Sequence, residues 1–82
     1  MPTTLCLDFG NTRQKCAVFI NKDLAEMIVL TDAIINDLNN IINKYKPTVS
    51  ILSSVINHSI EVENLLESKT NFHKLNKLWF IK

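Results

Sequence analysis

The residues best equipped for chemistry stand close together near the N-terminus. Asp8 is carried by an apolar run, Leu5 to Phe9, and Gly10, Asn11, Thr12, Arg13 and Lys15 lie between it and a second, Cys16 to Ile20. They offer a carboxylate, closely spaced backbone N–H groups, a hydroxyl and two cations. Those are the parts needed to hold a phosphate and its metal ion. Gly10 is the only glycine in the chain, and Gly10-Asn11 stands where the chain must reverse. Both residue types tolerate positive φ, so a tight turn is expected there. The stretch also reads as an ordinary hairpin. What raises it above that is order: Asp8 immediately precedes the turn, Thr12 is within it and Lys15 follows it, so the chemistry gathers at one end.

Other reactive side chains are scattered. Cys6 and Cys16 fall on the two apolar runs and would lie across from each other on a hairpin centred near Asn11. That allows a cross-strand disulfide or two reduced core thiols. Met1-Pro2-Thr3-Thr4 has no basic n-region, so no secretory signal peptide is read, and a reducing, cytoplasmic setting is expected. His58 and His73 sit in polar connections, and neither has a cysteine at metal-ligand spacing. Asn57-His58-Ser59 fits a glycosylation sequon but lacks an export signal. Ser53 and Ser54 leave an apolar strand at its C-terminal end, where α/β sheets bind ligands, or they simply cap that strand.

The elements that must position these groups follow from periodicity. Thr4 to Phe9 reads as a central strand. Arg13 to Ile20 reads as a second, with Lys15, Ala17 and Phe19 on one face and Cys16, Val18 and Ile20 on the other. Asn21-Lys22-Asp23 marks a turn, and Leu24 to Leu30 a third strand, completing an antiparallel meander. The period then changes. Ile34, Ile35, Leu38, Ile41, Ile42 and Tyr45 define an amphipathic helix, capped by Thr31 or Asp32 and stopped by Pro47. Thr48 to Ser53 is a fourth strand. Asn57 or Ser59 caps a second helix with Ile60, Val62, Leu65 and Leu66 inward and Glu61, Glu63 and Glu67 outward. Ser68 to Asn76 reads as a polar connection, and Leu78-Trp79-Phe80-Ile81 as a fifth strand. The order β-β-β-α-β-α-β, with right-handed crossovers, predicts a mixed α/β sheet of order 3-2-1-4-5 in which strand two runs against the others.

Composition narrows the function classes. At 82 residues the chain makes at most one small domain, which buries only about 60–65% of its unfolded surface. Nine basic residues against eight acidic ones give a net charge of +1, which argues against a dedicated nucleic-acid binder. No apolar run approaches the ~20 residues of a membrane-spanning helix.

Asp8-Phe9-Gly10-Asn11-Thr12-Arg13-Gln14-Lys15, directly after an N-terminal apolar strand, resembles the first phosphate-binding motif of type III pantothenate kinases: Asp, any residue, Gly-Asn-Thr, two residues, Lys. Ile51-Leu52-Ser53-Ser54-Val55 is similar to the Ser-Ser-Val run after that family's fourth strand. The family continues with an apolar residue and a proline, where this chain has Ile56-Asn57. The resemblance implies a ribonuclease-H-like half-domain of the acetate and sugar kinase/actin superfamily, a single incomplete N-terminal subdomain over residues 1–82. It implies ATP, Mg²⁺ and a monovalent cation (K⁺ or NH₄⁺) as cofactors. The reaction would be phosphorylation of pantothenate, the first step of coenzyme A biosynthesis, in a homo-oligomer. Asp8 would hold Mg²⁺; the Gly10 and Asn11 amides, the Thr12 hydroxyl, Arg13 and Lys15 would face the phosphates. The family's later Gly-x-Asp-Arg segment, which carries its catalytic aspartate, has no counterpart here, and neither has the second half-domain. The fragment alone is therefore expected to be inactive. The competing readings are a non-catalytic phosphate-binding or dimerisation module, and a piece of another sugar-kinase-like ATPase.

Overall fold

A computed structural model describes residues 2–10, 13–54 and 58–75. The chain forms β1 (Thr3–Phe9), β2 (Gln14–Ile20), β3 (Asp23–Val29), α1 (Ile34–Tyr45), β4 (Val49–Ser54), α2 (Ile60–Lys69) and β5 (Asn71–Leu75). The sheet order is β3-β2-β1-β4-β5. β2 runs antiparallel to β1 and β3, while β4 is parallel to β1 and β5 to β4. Element order and sheet order are those the periodicity predicts. β1 is the central strand, paired on both edges.

Alternation along β1 decides the layers. Leu5, Leu7 and Phe9 are buried, whereas Thr4, Cys6 and Asp8 point the other way and are less covered. The buried set packs with Cys16, Val18 and Leu52 of its neighbours, and with Leu38, Ile41 and Ile42 of α1 and Val62 and Leu66 of α2. Both helices therefore cover one face of the sheet, as right-handed crossovers on the same side require. Among the described residues no helix covers the opposite face, called the open face below. Leu24, Met27, Val29 and Leu75 are exposed large apolar residues, the first three on β3 opposite Phe19, Ala17 and Lys15.

The cysteines resolve simply. Cys6 pairs with Ala17 on the open face, and Cys16 pairs with Leu7 on the helix face. They lie on opposite sides of the sheet, so the cross-strand disulfide is excluded and both are free thiols. Burial first, and the Cys6 sulfur second, push the Cys16 thiol up to about 12. Thiolate is the reactive form. At pH 8 a maleimide is accordingly expected to label Cys6 alone in the native chain, and both cysteines only after denaturation. Equal native labelling would contradict this placement of Cys16.

Four local expectations need correction. First, α1 begins at Ile34, and its N-cap is Ala33, with no side-chain cap hydrogen bond. Thr31 is occupied otherwise: its N–H and hydroxyl both donate to Asp37 Oδ2 at 2.7 Å, and its Oγ1 accepts the Ala33 N–H at 3.1 Å. This Ser/Thr-type turn delays the helix start by competing for the chain. The Thr31 hydroxyl and amide hold the Asp37 carboxyl below the usual carboxylate range. Second, Gly10 does not take positive φ; among the described residues Asn21, at 59°, and Lys46 do, and Asn11 lies outside them. Gly10 instead closes its turn by donating its N–H to the Arg13 carbonyl at 3.1 Å. Third, on α2 the N-cap is Ser59, whose hydroxyl accepts from the Glu61 N–H, but Ile60 is 63% exposed. Residues four and seven beyond it are Asn64 and Glu67, the solvent side of the helix. Fourth, residues Asn71–Leu75 are not a polar connection but the edge strand β5. Backbone pairing with β4, from Val49↔Asn71 to Ser53↔Leu75, supports it. An edge strand tolerates polar side chains on both faces, and only Phe72 packs against the core. The fifth strand read at Leu78–Ile81 lies outside the described residues, as does Asn57.

Pro47 ends α1 as expected. Right-handed helical geometry is disfavoured for the residue before a proline. Lys46 leaves it for the left-handed region at φ 49°, and its N–H still reaches the Ile42 carbonyl. The far end of α1 is tied to the meander by Tyr45, whose hydroxyl donates to Glu26.

Candidate functional site

The hairpin residues gather at the C-terminal end of β1. Asp8 is directly opposite Lys15 on β2 and beside Ser53 on β4. A strand spacing of about 4.8 Å separates each from Asp8. Asp8 and Lys15 are exposed and Ser53 is half-buried. All three border a concavity of ≈ 470 Å³ on the open face, whose lining is almost wholly apolar and includes Cys6, Ala17 and Ile51. A carboxylate, an ammonium and a hydroxyl therefore stand side by side on three adjacent strands. Arg13 is exposed and Gly10 half-buried, and the Gln14 side-chain amide donates to the Gly10 carbonyl at 3.3 Å. Asn11 and Thr12, also expected in this site, lie outside the described residues.

A single exposed carboxylate suits Mg²⁺, which keeps several waters and takes its remaining ligands from nucleotide phosphates. Among the described residues no three His, Cys, Asp or Glu side chains converge on one point.

On the opposite face at the same end stands a cluster that sequence reading did not assemble. His58 is packed edge-on against Phe9, with ring centroids 5.9 Å apart at 88°. Its Nε2 lies 2.6 Å from Glu63 Oε2 and its Nδ1 3.2 Å from Ser54 Oγ. Lys74 of β5 donates to the same Glu63 oxygen at 3.0 Å. The His58 and Glu63 side chains are only 10% and 17% exposed, so Glu63 is not on the solvent side of α2 as its spacing implied. The Lys74 ammonium first, and His58 second, hold the Glu63 carboxyl below the usual range. The available signal was positional. His58 precedes the Ser59 cap and Glu63 is the fourth residue of the helix, the two places a staple joins at a helix start. His73, by contrast, is exposed on β5, in register with Ile51.

Ser53 and Ser54 thus diverge: Ser53 joins Asp8 on the open face and Ser54 joins Phe9 on the helix side. Among the described residues no helix is long and apolar enough to cross a membrane. No model of a known protein family matches the chain, and no curated protein matches it.

Proposed function

We propose that the chain is the N-terminal ribonuclease-H-like half-domain of an ATP-dependent kinase of the type III pantothenate kinase kind, acting in the cytoplasm. The observation that carries this reading is the alignment of Asp8, Lys15 and Ser53 across β1, β2 and β4. They stand at the strand ends of a 3-2-1-4-5 sheet, where α/β folds bind ligands.

In this reading the β1–β2 turn receives the nucleotide phosphates. Asp8 holds Mg²⁺ through water, and Lys15 neutralises phosphate charge from the neighbouring strand. The Gly10 and Asn11 amides, the Thr12 hydroxyl and Arg13 complete the phosphate side. Phosphoryl transfer depends on such positioning and charge compensation. In the family the motif resembles, the catalytic aspartate and part of the pantothenate pocket lie on a Gly-x-Asp-Arg segment that these 82 residues do not contain.

The reading has a direct test. With ATP, Mg²⁺ and pantothenate, the isolated chain is expected to form no phosphopantothenate. Mg-ATP is expected to shift the amide resonances of Gly10, Arg13 and Lys15 well beyond those of Ser68 and Asn71. Turnover by the isolated chain, or shifts spread evenly over the sheet, would contradict it. A second reading, a dimerisation module, is favoured by one observation: Leu24, Met27, Val29 and Leu75 are exposed large apolar residues on one sheet face, a surface that suits a homo-oligomer.

A further inference from the structure

We propose that Ser54, His58 and Glu63 form a nucleophile–base–carboxylate relay that activates Ser54 Oγ toward an electrophilic phosphoryl centre. The requirement for such a relay is a hydroxyl within hydrogen-bond reach of a base that a third group orients. The Ser54 Oγ to His58 Nδ1 distance is 3.2 Å and the His58 Nε2 to Glu63 distance 2.6 Å. Glu63, an ionised carboxylate, accepts the proton on Nε2. That tautomer leaves Nδ1 as the acceptor facing the serine.

A purely structural role accounts for only half of this arrangement. Joining His58 to Glu63 fixes the path of the chain into α2 and needs Nε2 alone. The contact of Nδ1 with Ser54 is additional. Ser54 is in register with Phe9, the residue before the Gly10 turn, so its hydroxyl stands one strand away from that turn. His58 also lines a cavity of ≈ 390 Å³ between the starts of α1 and α2, large enough for a small ligand. The charged groups around the ring are Glu63 on α2, Lys74 reaching Glu63 from β5, and Glu61 and Asp32 on the cavity wall.

In the step proposed, Ser54 Oγ attacks phosphorus and an Oγ–P bond forms. The bond to the leaving group breaks, and that group departs with its electron pair. The serine proton passes to His58 Nδ1, and the resulting imidazolium is held by Glu63. Glu63 is a positioning residue. The step does not depend on nucleotide binding at the hairpin, so the two can fail separately.

A fluorophosphonate probe, with fluoride as the leaving group, tests it on the purified chain. Mass spectrometry is expected to find one adduct, on Ser54, forming faster as pH rises along a single ionisation. His58→Asn should slow labelling roughly a hundredfold, the scale of a general base, and remove that ionisation. Glu63→Gln should slow it and displace the pH profile, while Ser68→Ala, far from the cluster, should label normally. Circular dichroism identifies variants that keep the fold. If His58→Asn does not fold, Glu63→Gln and the site of the wild-type adduct still decide. No adduct on Ser54, equal labelling of Ser68, or a Ser54 rate indifferent to folded His58 and Glu63 variants would overturn the proposal.

Discussion

Phe9→Ala is expected to remove a large share of the stability of the domain. Phe9 is fully buried at the end of the central strand, within the cluster that joins β1 to both helices, and its ring meets the edge of His58. Truncating a buried phenylalanine costs roughly 3–5 kcal/mol in lost transfer free energy and cavity formation. A chain of this length has only about 4–12 kcal/mol in total. Denaturant unfolding followed by circular dichroism should show a midpoint far below wild type, or no folded baseline. Met27→Ala provides the contrast. Met27 is 54% exposed on the open face, and its loss should change stability by no more than about 0.5 kcal/mol. Equal effects of the two changes would mean that the open face is covered and the layer assignment is wrong.

The meander, α1 and the sheet order were legible because period and connection rules act locally. Leu5 to Phe9 is apolar on both faces but for Asp8, which suits a central strand, the β1–β2 and β2–β3 turns are short, and Ile34 to Tyr45 keeps helical spacing up to Pro47. The parts that were not legible depend on partners distant in sequence. β5 has one core residue, Phe72, and exists through its backbone register with β4. Its apolar content could not announce it, so the apolar run at Leu78–Ile81 drew the strand assignment instead. The start of α1 shifted because Asp37, six residues on, engages Thr31. The Asp8–Lys15 pairing was readable from hairpin symmetry. Glu63 is held by Lys74 from β5 and His58 from before α2, a meeting that requires α2 and β5 to be in place.

The second large effect concerns Asp8. Its side chain is exposed and contributes nothing to the core, so Asp8→Asn should leave the fold and its melting temperature unchanged. Its proposed role is electrostatic: one carboxylate beside Lys15 and Ser53 that anchors Mg²⁺ while the phosphates supply the other ligands. Replacing it with a neutral amide removes the protein's charge on the metal. Mg-ATP affinity is expected to fall roughly tenfold or more, equivalent to at least about 1.4 kcal/mol. Without Mg²⁺, the same change should matter much less.

The most direct measurement is therefore titration calorimetry of the folded 82-residue chain with Mg-ATP, wild type against Asp8→Asn. The account predicts weak, saturable binding by the wild type, with Kd on the order of 0.1–1 mM, and its loss in the variant. No binding by the wild type, or tight binding that Asp8→Asn leaves untouched, would contradict a nucleotide role for the β1–β2 hairpin.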